Sequence, residues 1–415
     1  MVEPSKLEMY ADLAVRVGVN LQPSQILVIG QDTLPVPIEC FEFVRYVTQK
    51  AYAAGARQVY VNWEDPELNR IRLESASEDS LDEYPQWKVN WMESMLAEGA
   101  AFLAIFIPYP DLLTGIDPAR VARAAKAKAN ALRNFVNEYA SLKTNYCILS
   151  VPSKSWANKL FPTLSDVDAM NKLWDIVLEI VRIDTDHPFQ EWKTHVSELG
   201  KRTKLLNDYR FTKLRYSAPG TDLTVDLPDE HQWISLATVK NINNVPFLPN
   251  LPSEEVFTAP HRTGVNGTLR STMPLYYGGT MINNIQLTFS EGKIVNYSAD
   301  EGLATLKGII ASDEGSSYLG EIALVPVTSP IAKHGILFMN PLYDENASCH
   351  FAIGNGYPSS IVNGQSMSPE ERLERGLNQS ITHVDFMVGS NELNIDGETK
   401  DGRRIPILSA GNWVL

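Results

Sequence analysis

The sequence predicts an α/β N-terminal domain with a mostly parallel sheet over residues 1–212, followed by an α+β, largely antiparallel domain over residues 213–415. Three observations carry this prediction. In the first half, short apolar runs alternate with helical patterns, the grammar of βαβ units. In the second, period-2 runs are separated by glycine-containing turns and the long helical patterns stop. A length of 415 residues is also more than one typical domain holds.

Taken in order, "ILVIGQD" (26–32) reads as a buried strand and "VPIECFEFVRYVTQKAYAAGA" (36–56) as an amphipathic helix closed by Gly55. "QVYVNWED" (58–65), "AFLAIFIPYP" (101–110) and "YCILSVPS" (146–153) repeat the strand theme, with helices between them. The Ala-rich "ARVARAAKAKANALR" (119–133) reads as a helix with a solvated basic face. Two long helical patterns, at 165–183 and 189–210, lead out of the first domain. Beyond them, "LRYSAPGTDLTVDLP" (214–228) is a hairpin around Pro219-Gly220. "TMINNIQLTFSEGKIVNYSAD" (280–300) alternates and turns at Glu291-Gly292, and "EIALVPV" (321–327), "GILFMN" (335–340) and 401–415 read as further strands.

Bulk properties narrow the function. Thirty-six basic and 50 acidic residues give a net charge of −14, which argues against a nucleic-acid partner, because phosphate binding needs clustered Lys and Arg. No run approaches the ~20 apolar residues of a membrane span, and the acid-bearing N-terminus does not read as a signal peptide. Cys40, Cys147 and Cys349 are an odd number at wide spacing and imply no disulfide framework. The expected location is the cytoplasm, where the Asn-x-Ser/Thr sites at Asn266, Asn296, Asn346 and Asn378 carry no meaning.

Metal-capable residues gather in the second half, which holds five of the seven histidines. In "HVDF" (383–386), strand alternation puts His383 and Asp385 on one face and Val384 and Phe386 on the other. An imidazole beside a carboxylate binds a divalent ion or forms a structural pair. Glu321 heads the apolar run "GEIALVP" (320–326), and "LPSEEV" (251–256) sets Glu254 beside Glu255. "DENASCHFAIGNGY" (344–357) places His350 among small residues with Tyr357 seven positions on. Each fragment alone also admits a structural reading: a solvated acid, a core histidine, a packing tyrosine.

Together, "NLPSEEVFTAP", "LGEIALVP", "DENASCHFAIGNGYP" and "HVDFMVGSNELNIDG" resemble the aminopeptidase T / aminopeptidase S (PepS) family of bacterial metallo-aminopeptidases. The likeness extends to "GVNLQPSQILVIG" and "APGTDLTVDLP", so it covers nearly the whole chain. It implies a catalytic second domain with two divalent metal ions per chain. The implied ligands are Glu255, Glu321, His350, His383 and Asp385, with Tyr357 and Glu321 as catalytic residues. It further implies a homodimer acting on short peptides with a free N-terminus.

The residue types agree with that chemistry. Three carboxylates and two imidazoles cannot close two structural sites unless a carboxylate bridges, and bridging leaves positions open for water and substrate. Such ligands suit zinc, cobalt, manganese or magnesium rather than copper or an iron–sulfur cluster. Two such ions activate a shared water for hydrolysis. Tyr357 on the glycine-flanked turn is expected to donate to an oxyanion. Glu254, Glu321 and Glu345 are the candidates for carrying a proton to the leaving amine. His261 with Arg262 is either a binder of a substrate carboxylate or a satisfied loop pair. Two other functions remain: another metal-dependent amide hydrolase, either a dipeptidase or a deacylase, and a non-catalytic, metal-stabilised binding protein.

Overall fold

The computed structural model describes residues 2–415. The chain forms two compact units, each discontinuous in sequence: residues up to Lys193 with Val239–Pro252, and Thr194–Thr238 with Ser253–Leu415.

The first unit is built on a five-stranded parallel sheet in the order Gln58–Val61, Ile26–Ile29, Ala101–Ile105, Tyr146–Leu149, Asn250–Leu251. Ile26–Ile29 and Ala101–Ile105 are buried at every position, as strands covered on both faces must be. Phe102 meets the rings of Phe135 and Tyr139 edge-on at 5.6 and 5.9 Å, fastening the helix Arg133–Ala140 to the sheet. The segment 239–252 belongs to this unit because its two-residue strand pairs with Tyr146–Leu149.

The helix expected over 36–56 is shorter, Phe41–Ala53, and Gly55 closes it with a φ of +94°. Its first residues are taken by a competing pairing, since Val36–Pro37 bonds alongside Trp63–Glu64 and a 3₁₀ turn follows. The basic helix Pro118–Ala131 has no fully buried residue, but Arg120 and Arg123 on it are paired with Glu78 and Asp82. Asp32, at the end of the first strand, is buried and accepts from Tyr84 at 2.6 Å and Asn62 at 2.9 Å. These bonds give it an architectural role. Among the tryptophans, Trp233 is core, whereas Trp63 and Trp87 are exposed.

The second unit holds an eight-stranded and a four-stranded sheet, with antiparallel pairing throughout the strands that position the site. The hairpin Lys213–Ala218/Thr221–Asp226 turns at Gly220 as the sequence predicts. At the turn between Gln286–Ser290 and Lys293–Ser298, Glu291 and Gly292 both have positive φ, 49° and 79°, as a two-residue type I′ turn requires. Only glycine fits the second position, because a Cβ there would lie 1.8 Å from the Arg262 carbonyl oxygen.

Residues 335–340, expected as a strand, are irregular instead. The backbone amides of Phe338 and Asn340 donate to the buried carboxylate of Asp344 at 2.7 and 2.9 Å. A side chain thus satisfies the groups that a neighbouring strand would otherwise bond. Among the described residues, no helix is long and apolar enough to cross a membrane.

Candidate metal centre

The four-stranded sheet runs in the order Val256–Thr258, Leu319–Leu324, His350–Gly354, His383–Met387. Register and pleat decide what its two faces carry. Glu321, Ala352 and Asp385 lie opposite one another in one row, with Ala323, His350 and Met387 in the next. His383 sits opposite Gly354. Alternation therefore collects Glu321, His350, His383 and Asp385 on one face, spaced by Ala323, Ala352 and Gly354. The small residues leave room above the sheet. The opposite face carries Ile322, Phe351, Ile353, Val384 and Phe386, all buried. There the Phe351 ring stands 5.0 Å from that of Tyr216 and 6.4 Å from that of Phe386.

Glu255 just precedes the edge strand, and Phe257, opposite Ala323, shares the site face. The side chains meet in two groups, Glu255–Glu321–His350 and Glu321–His383–Asp385. Glu255 Oε2 lies 3.3 Å from His350 Nε2, and Glu321 Oε1 lies 3.6 Å from the same atom. Glu321 Oε2 lies 3.5 Å from His383 Nε2, which is 3.4 Å from Asp385 Oδ1. One carboxylate thus faces both groups, one oxygen each way. Glu321 does not head its strand as an exposed acid; it is 4% exposed in mid-strand.

Both imidazoles are oriented from behind. His350 Nδ1–H donates to the Ser348 carbonyl at 3.1 Å, and His383 Nδ1–H donates to the Asn355 carbonyl at 2.8 Å. These bonds fix the tautomer that leaves each Nε2 lone pair facing the carboxylates, the arrangement metal-binding histidines adopt. Glu321 Oε2 and Asp385 Oδ1 are buried and accept no well-formed hydrogen bond, with His383 Nε2 standing 3.5 and 3.4 Å away. Buried carboxylate oxygens without donors are costly unless a cation meets them. The donor set, its tautomers and these unmet oxygens all fit divalent ions.

The electrostatics describe the same crowding of negative charge. Burial alone would depress His383, but the Asp385 and Glu321 carboxylates outweigh it and raise its pKa to about 10. His350 is raised well above its ordinary value, since Glu255 and Glu321 overcome a similar burial effect. Burial, followed by the charges of Asp385 and Glu255, holds the Glu345 carboxyl well above the usual range. Burial also raises Glu321. Asp385 is lowered instead, because the two histidines outweigh its own burial.

These shifts set a pH dependence for the metal-free protein. The folded pKa of His383 exceeds its ordinary 6.5, so its charge contributes stability in full below about pH 6.5 and loses it as pH rises through about 10. Chelator-treated protein should therefore melt at progressively lower temperature across that window. Added manganese should flatten the profile by taking the proton's place on Nε2. Melting curves against pH, with and without chelator, check this.

Tyr357 follows the Gly354–Gly356 turn and is 42% exposed. Gly354 has a φ of +107°, and the turn brings the phenol to His383 rather than to His350, with ring centroids 4.9 Å apart. Phe257 braces the other edge of the ring at 5.9 Å. Strand periodicity from Glu255 would have located Phe257 from sequence; the carbonyls of Ser348 and Asn355 have no sequence signal.

Glu254 joins neither ligand group. Its Oε2 lies 3.7 Å from His195 Nε2, a partner that sequence reading missed. Glu345 is half-buried and accepts from Asn346 Nδ2 at 3.3 Å. Cys349 is buried filler: its thiol donates to the Val325 carbonyl at 3.2 Å, and burial pushes its pKa up to about 11. Arg262 donates to Asn378 and Glu314, the satisfied loop role rather than an open cation.

The sequence fits the family described as thermophilic metalloprotease (M29) over residues 3–413. The chain belongs to that family. It is 45% identical over 410 residues to Aminopeptidase 2 of Geobacillus stearothermophilus, covering 99% of this chain and 98% of the relative. Aminopeptidase T of Thermus thermophilus is 39% identical over 409 residues, with the same coverage. The solved structure titled wild-type AmpT from Thermus thermophilus superposes with a TM-score of 0.92 at 38% identity, covering 99% of each chain. The M29 chain thus shares its parallel N-terminal sheet and later antiparallel sheets with a relative of known structure.

Proposed function

We propose that this chain releases N-terminal residues from short peptides, using water activated by two divalent ions. It is a metallo-aminopeptidase by its M29 membership and by the names its relatives carry. The observation that best supports two ions rather than one is Glu321, whose oxygens face two different ligand groups.

Glu255 with His350 would hold one ion and His383 with Asp385 the other, with Glu321 shared between them. Zinc, cobalt, manganese and magnesium all suit this donor set. Ions bound there would lower the pKa of a water and polarise the scissile carbonyl. Tyr357 donates its phenolic proton as a hydrogen bond to the oxygen on which charge develops, and Phe257 and His383 hold its ring in place. Glu345, whose carboxyl stands among the acids of the site, carries a proton to the leaving amine. The functional unit is a homodimer working in the cytoplasm, a state light scattering would establish or refute.

The test compares aminoacyl-p-nitroanilides with their N-acetylated forms, using protein stripped by chelator and resupplied with each ion. Hydrolysis of the free-amine compounds alone, dependent on added metal, is the expected result. Cleavage of the blocked compounds would make the protein a deacylase. Silence with every ion, together with a large loss of melting temperature on chelation, would make the metals structural.

A further inference from the structure

The turn that carries Tyr357 is clamped by one buried side chain. Asn378 is 0% exposed, and its side-chain polar atoms are all engaged. Nδ2 donates to the carbonyls of Gly354 at 2.6 Å and Gly315 at 2.8 Å. Oδ1 accepts from Arg262 Nε at 3.1 Å. The Asn378 main-chain carbonyl accepts the Gly356 amide at 3.0 Å. This one residue therefore grips the turn on both sides of Asn355.

What lies in that grip is the supporting structure of the site. The carbonyl of Asn355 is the group that orients His383, and Tyr357 follows Gly356 directly. Arg262 reinforces the clamp along a second route: its guanidinium lies 4.1 Å above the Tyr318 ring, and the Tyr318 carbonyl accepts the Gly354 amide at 2.8 Å. Its remaining ion pair, to Glu314 at 2.8 Å, reaches a side chain that is 86% exposed. An Asp at 378 could not donate to two carbonyls and would set a charge against them.

We propose that Asn378, anchored by Arg262, is a positioning residue that sets His383 and Tyr357 together, coupling metal binding to oxyanion stabilisation. The proposal rests on the metal-centre reading above.

Asn378→Asp and the milder Arg262→Ala test it, with Glu314→Ala as the control expected to behave as wild type. Arg262→Ala should lower kcat by about 10–100-fold, the range typical of residues that support metal ligands, with little change in KM. It should also weaken manganese binding to chelator-stripped protein, read by calorimetry. Combined with Tyr357→Phe, it should cost far less than the product of the two separate losses. Losses that multiply to within about threefold, with manganese affinity unchanged, would overturn the proposal. So would an unchanged kcat in Arg262→Ala, which keeps the test decisive if Asn378→Asp fails to fold. Failure of the metal-centre reading would be visible separately, as normal manganese affinity in Glu321→Gln.

Discussion

Glu321→Gln should lower turnover by more than the roughly 100-fold that loss of a supporting residue costs, and should weaken metal binding at both positions. Oε1 of Glu321 faces His350 and Oε2 faces His383, so no other side chain of the centre belongs to both groups. The amide is nearly the same size, so the core-facing side of the strand, with Ile322 and Leu324, keeps its packing. What changes is charge: one oxygen becomes an N–H₂ that cannot ligate. Steady-state kinetics and metal titration of the same preparation check the prediction. Glu254→Gln, one residue before Glu255 but beside His195, should keep both metal-binding events. Equal losses in the two variants would mean that general acidity, not ligation, is what the site needs.

Tyr357→Phe should cost about 10²–10³ in kcat while leaving KM nearly unchanged, the effect of removing one donor that acts on the transition state. The phenyl ring retains its packing on Phe257 and His383, so melting temperature and metal affinity should stay at wild-type values. A rise in KM with kcat preserved would assign the hydroxyl to substrate binding instead.

How far the sequence was legible depended on the range of the interactions. The strands at 26–29, 101–105 and 146–149 were readable because a parallel strand buried on both faces is apolar at almost every position. The pairing of His383 with Asp385 was readable because alternation is a local rule. Residues 335–340 were misread because their apolar pattern is satisfied by a carboxylate, Asp344, that no periodicity reveals. The start of the helix at Phe41 was missed because Val36–Pro37 pairs with a segment 27 residues away in sequence, Trp63–Glu64. The candidate ligand residues are individually ambiguous in sequence. Fragments as far apart as 255 and 385 become one site only through sheet register, which sets Glu321 and Asp385 either side of Ala352. For the same reason the choice of Glu255 over Glu254 rested on resemblance; in the structure Glu255 is the one that lies against His350. Asn378 stands out in sequence only as an Asn-x-Ser site, and the fold shows what it grips.

The most direct test of the two-ion centre is anomalous diffraction from crystals of the manganese-loaded protein. Two peaks per chain are expected about 3.5–4 Å apart, with Glu321 between them, one beside Glu255 and His350 and the other beside His383 and Asp385. A single peak, or peaks away from these five side chains, would contradict it.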